Sequence, residues 1–170
     1  MAASSPPPEA VRSGRRQGAV RRRSLARLAA VQALYQLELN RDLNPETVIA
    51  EFARHRLGRE IDGEFYGEAD VALFAEIVRG VTADQERLDR EISAVLTKDW
   101  PLLRLEAVLR AILRAGAYEL VHRPDIPPRV AVSEYTGIAH AFFTGKEPGL
   151  ANGVLDRLGR LLRPAEMQAP

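Results

Sequence analysis

The chain has 170 residues, 46% apolar and 28% charged, which fits one globular domain and excludes a disordered chain. It has no apolar run long enough to span a bilayer and no apolar secretory segment near its start, so a cytoplasmic address is expected. Cysteine is absent, which removes disulfides, thiolate metal sites and a cysteine nucleophile, and the net charge is +1.

Residues 1–19, with Pro6-Pro7-Pro8, Gly14 and Gly18, are predicted to form a disordered arm. A first helix is expected from Arg22 to Asn40, with Leu28, Val31, Tyr35 and Leu39 as its buried stripe. Asn44-Pro45 pairs an N-cap with proline at the first helical position and opens a second helix to about Leu57. Gly58 to Gly67 reads as a loop. A third helix is predicted over Glu68 to Arg79, stopped by Gly80. Thr82-Ala-Asp-Gln85 has the form of a capping box for a fourth. The fifth, from about Leu103 to Val121, is apolar over so wide a surface that it should lie at the centre. Trp100 is expected to be a packing anchor before Pro101. Pro128 opens a sixth helix to Phe143. The polar loop Thr144 to Gly149 precedes a last helix from Leu150 to Leu162, with Leu161 inward, and Pro164 ends the ordered chain. No strand pattern is found, so the fold class is all-α, a single-domain bundle of about seven helices over residues 20–164, with a tail at 165–170.

The three histidines, His55, His122 and His140, are not at metal-ligand spacing, and no nucleophile elbow or phosphate loop is present. The carboxylates lie in helical patterns beside arginines, as a solvated, charge-laced face does. No catalytic activity, cofactor or metal is expected. The charge, however, is uneven. Ala10 to Leu37 holds seven arginines and no acid, whereas Glu38 to Pro170 has 17 basic and 22 acidic residues. An arginine-rich, acid-free helix start fits a polyanion such as RNA, and a solubilising arm is the alternative. The cluster is not there to support the helix, because positive charge at a helix N-terminus opposes the macrodipole.

Four blocks carry a family resemblance. They are Arg23-Ser-Leu-Ala-Arg27-Leu-Ala-Ala-Val31-Gln32-Ala-Leu-Tyr35-Gln36, Ile112-Leu-Arg-Ala-Gly-Ala-Tyr118-Glu119-Leu120, Asp125-Ile126-Pro127 with Val130-Ala-Val-Ser-Glu134, and Asn152-Gly153-Val154-Leu155-Asp156. Their order and spacing resemble the NusB family of bacterial transcription antitermination factors. The resemblance implies an all-helical, non-catalytic protein that binds single-stranded, boxA-type RNA of ribosomal RNA transcripts. It does so with NusE, a small-subunit ribosomal protein, and acts on RNA polymerase with other Nus factors. It places RNA contacts at Arg21, Arg22, Arg23, Arg27, Gln32, Tyr35, Phe142 and Lys146, and the protein-partner surface at Leu109 and Leu150. Leu109 stands where an acid is frequent and Leu150 where an aromatic residue is usual. The arginine triplet lies about two residues further from Val31-Gln32 than in the family pattern, and Lys146 replaces an acid found in some relatives. Tyr35 lies on the predicted apolar stripe, so its ring is expected in the core with its hydroxyl as the RNA contact. The four arginines are expected to face solvent. Two other readings stay open: an RNA-binding module serving ribosomal RNA methylation, and a helical scaffold that binds only protein. Homodimerisation is a further outcome that the family allows.

Overall fold

The computed structural model describes residues 9–55, 57, 60–61, 64–65 and 70–168. Its elements are α1 (Glu9–Leu39), α2 (Pro45–His55), β1 (Glu60–Ile61), β2 (Glu64–Phe65), α3 (Val71–Ala83), α4 (Gln85–Val95), α5 (Ala107–His122), α6 (Pro128–Phe142), α7 (Glu147–Leu162) and α8 (Pro164–Gln168). A single 3-10 turn, Leu102–Arg104, leads into α5. The two short strands pair antiparallel, Glu60 with Phe65 and Ile61 with Glu64, inside the stretch expected to be a loop.

α5 is the axis of the bundle. It packs against α1, α3, α4, α6 and α7, and eleven of its sixteen residues are buried. Its small residues make this possible. Gly116 lies under Leu155 of α7 and Tyr135 of α6, so close that a Cβ there would meet the leucine methyls at 2.8 and 2.9 Å. α1 runs antiparallel to α5, tied near one end by Arg27 with Glu119 and near the other by Glu38 with Arg110.

Several expectations are corrected. α1 starts at Glu9, so the arm predicted to be disordered is helical from that residue, and only residues 1–8 of it fall outside the described chain. Arg, Ala and Gln are good helix formers, and the anchored part of α1 supplies the nucleus that a free segment would lack. The buried face of α1 is made of Ala26, Ala29, Ala30, Val31, Ala33 and Leu34, and it leaves Tyr35 and Leu39 exposed. α3 passes through Gly80, where the Tyr118 ring lies 2.0 Å from the site of a Cβ. That glycine makes room for a ring and does not end a helix. Thr82 donates to the carbonyls of Val78 and Arg79, and the Asp84 side chain does not cap α4 but pairs with His122 at 2.7 Å. Trp100 and Leu161 are exposed, and the chain continues past Pro164 into α8, which buries Met167. Asn44 does cap α2, its Oδ1 accepting from the Glu46 amide at 2.8 Å.

Candidate nucleic-acid interface

The arginine-rich part of α1 lies where the helix first meets the body. Arg21 and Arg23 are exposed, and Arg22 is half-buried. Ala19, Arg22 and Arg23 border a cleft with Asp70, Glu76 and Arg123. The sequence around the triplet is free of acid, but the fold brings Asp70 to 3.9 Å from Arg22. Desolvation raises the Asp70 carboxyl above its ordinary value, and the charge of Arg22 pulls the other way. Neither Arg22 Nε nor Asp70 Oδ2 has a hydrogen-bond partner among the described residues. Arg123 is held by Asp125 at 2.9 Å and by Glu76, so it is neutralised locally.

Arg27 does not face solvent, which corrects its assignment as an exposed RNA contact. It is 2% exposed and forms a forked pair with Glu119 of α5, Nε to Oε2 and Nη2 to Oε1, both at 2.9 Å. Tyr135 of α6 donates its hydroxyl to Glu119, and Glu134 lies 3.7 Å from Arg27 Nη1. Ser24 donates to both oxygens of Glu134, at 2.8 and 2.9 Å. Burial opposes the charge on Arg27, but the hydrogen bond and attraction of Glu119 outweigh it, so its pKa is raised. Burial and the neighbouring Glu119 charge push the Tyr135 phenol well above its ordinary value, so it stays a donor. The network joins α1, α5 and α6 and fixes α1 just below the arginine row. Sequence reasoning missed it, although a signal was present: Arg27 is one turn from Val31 on the buried face, and Glu119 follows the buried run Gly116-Ala117-Tyr118.

The other candidates are spread over the surface. Gln32 is half-buried and Tyr35 is 36% exposed, further along α1. Tyr35 is therefore more open than its place on the expected stripe implied. Phe142, at the end of α6, is 41% exposed, and Lys146, just before α7, is exposed. Phe143, by contrast, packs on the core. Leu109 is 2% exposed, so it is a core residue and cannot be a partner contact; Leu150 is half-buried against the core. Leu103, 80% exposed, borders a cleft lined both by Leu37 and Leu43 and by Glu38, Arg41, Asp89 and Arg114. Among the described residues no group of His, Asp and Glu could hold a metal ion, and no helix is long and apolar enough to cross a membrane.

The model of the NusB family matches residues 24–160. The chain belongs to the NusB family. The transcription antitermination protein NusB of Nitrobacter hamburgensis is 52% identical over 145 residues, 85% of this chain and 90% of that protein. The protein of the same name from Rhodopseudomonas palustris strain BisB18 is 50% identical over 145 residues, 85% of each chain. Among solved structures, NusB of T. maritima superposes with a TM-score of 0.71 at 32% identity, covering 85% of this chain and 95% of that one. A chain of the crystal structure of antitermination factors NusB and NusE in complex with dsRNA gives a TM-score of 0.67 at 21% identity. It covers 83% of this chain and 98% of that one, and it shows the NusB fold.

Proposed function

We propose that this protein is a transcription antitermination factor, which binds boxA-type RNA of ribosomal RNA transcripts together with NusE. The observation that carries the reading is the identity of 52%, over nearly the whole length, with a relative named as an antitermination protein. A protein of this fold is seen in an assembly of NusB and NusE with dsRNA. The surface chemistry agrees. Exposed Arg21 and Arg23 suit phosphate, and exposed Phe142 and Tyr35 offer rings to unstacked bases. Phe142 lies seven residues beyond Tyr135 on α6, and Tyr35 eight beyond Arg27 on α1, so each is roughly 10–12 Å of helix away from the buried network. RNA is then held at the arginine row and at the α6–α7 junction. The protein partner docks on the cleft at Leu103, where apolar and charged side chains alternate, since Leu109 is buried.

The test is binding of a boxA-type RNA with and without NusE. Binding that NusE strengthens, with a strong dependence on salt, supports the reading. RNA binding that responds to a methyl donor, and not to NusE, favours the methylation module. Partner binding without RNA binding leaves the protein-only scaffold.

A further inference from the structure

The cleft at Leu103 carries one charge that the fold leaves open. Leu37, Leu43 and Val81 line it together with Leu103, and four charged side chains stand among them. Three of the four are paired within the protein. Glu38 accepts from Arg110 Nε at 2.8 Å and from its Nη2, and it lies 3.4 Å from Arg114. Asp89 takes the Arg114 fork at 2.8 and 2.9 Å. Arg41 is the fourth. It is exposed, and it has no hydrogen bond or ion pair among the described residues. Glu38, the acid nearest before it in the chain, is engaged by the two arginines of α5, and Asp42, next after it, does not line the cleft.

The backbone on both sides of this arrangement is fixed. Asn40 closes the turn that carries Arg41, its carbonyl accepting from the Leu43 amide at 3.2 Å and its Oδ1 from the Asp42 amide at 3.3 Å. Arg110 Nη1 donates to the carbonyls of Leu103 and Leu105, which pins the 3-10 turn that presents Leu103. The cleft therefore offers an apolar contact and an uncompensated guanidinium, each on ordered backbone.

We infer that Arg41 selects the protein partner, by pairing with a carboxylate on the segment whose apolar side chain packs at Leu103. The inference rests on the reading above that places NusE at this cleft. A guanidinium matches a carboxylate through two parallel N–H donors, so it recognises a direction as well as a charge. A segment with a neutral or basic residue at that point leaves Arg41 desolvated without a counter-charge, and the cleft rejects it. A phosphate chain is the poorer match. It needs a row of cations, and here the described residues supply one free cation and two carboxylates.

The experiment uses the full chain and full-length NusE, with affinity measured by titration calorimetry. Arg41→Glu weakens NusE binding roughly tenfold or more, because repulsion replaces an attractive pair. Its RNA affinity and melting temperature match the wild type. Exposed acidic residues of NusE are then changed singly to lysine. One of these changes weakens binding to the wild type and returns binding to Arg41→Glu to within about threefold of the unmodified pair. An Arg41→Glu variant that binds NusE as the wild type does, while Leu103→Glu weakens it, overturns the inference. So does a full set of lysine changes of which none restores binding. Loss of RNA affinity in Arg41→Glu with NusE binding intact also overturns it, and gives the cleft to RNA. If neither Arg41→Glu nor Leu103→Glu alters NusE binding, the placement of the partner at this cleft has itself failed, and that result is distinct from the others.

Discussion

Replacing Arg27 by methionine keeps an unbranched apolar stem in place of the arginine's and removes the guanidinium. Glu119, fully buried, then keeps only the Tyr135 hydroxyl as a partner in the network. Breaking a buried pair by removing one member typically costs about 3–5 kcal/mol, because the remaining charge is left uncompensated. At about 2–4 °C per kcal/mol for a chain of this size, the melting temperature should fall by roughly 6–20 °C. Urea unfolding followed by circular dichroism measures the loss directly. Adding Glu119→Gln should recover more than half of it, since no buried charge is then stranded. Gln17→Ala, at an exposed position on the same helix, should stay within about 0.5 kcal/mol of the wild type. An Arg27→Met variant that loses less than about 1 kcal/mol would refute the reasoning.

The glycines should divide by their surroundings. Gly80→Ala drives a methyl into the Tyr118 ring and should cost about 1–3 kcal/mol, whereas Gly14→Ala and Gly18→Ala meet open space and should raise helix content, each by about 0.5–1 kcal/mol locally; far-ultraviolet circular dichroism and thermal unfolding report both. The Asp125 carboxyl, held to about 2 mainly by its hydrogen bond with Arg123, should titrate there by carboxyl NMR. Its folded pKa is depressed, so its contribution is present above the unfolded value and is lost as pH falls through about 2; Arg123→Gln should raise the midpoint toward the ordinary carboxylate range. Leu103→Glu puts a charge on the proposed partner cleft and should weaken NusE binding at least tenfold in a pull-down titration, with thermal stability unchanged.

The helices that bear specific punctuation were legible. Asn44-Pro45 starts α2, Pro128 starts α6, and the breadth of apolar positions in α5 marks the central helix. The phase of α1 was not legible, because the stripe was built on its large residues. The core takes Ala26, Ala29, Ala30 and Ala33 instead, whose small side chains let α1 approach α3 and α5 closely. Gly80 and Thr82 mimic helix-end signals, but a glycine can as well make room for a ring from another helix, and only the packing of Tyr118 decides between them. Of the candidate site, the exposed arginines and Phe142 could be read from the chain. The inward turn of Arg27 had a local signal, one turn from Val31, but its pairing did not, because the partner Glu119 is 92 residues away. Asp70 beside Arg22 is hidden for the same reason, a contact across α1 and the start of α3.

The arginine row is proposed as the RNA-binding surface, separate from the buried Arg27. The most direct measurement is the affinity of Arg21→Ala, Arg22→Ala, Arg23→Ala for a boxA-type RNA across a salt series, with NusE binding measured in parallel. Losing two or three phosphate contacts should reduce the slope of log affinity against log salt by roughly 1.4–2.1. RNA affinity should fall strongly while NusE binding and thermal stability hold. Unchanged affinity and an unchanged slope would make the row a solubilising feature, and loss of NusE with RNA retained would show that the two surfaces have been exchanged.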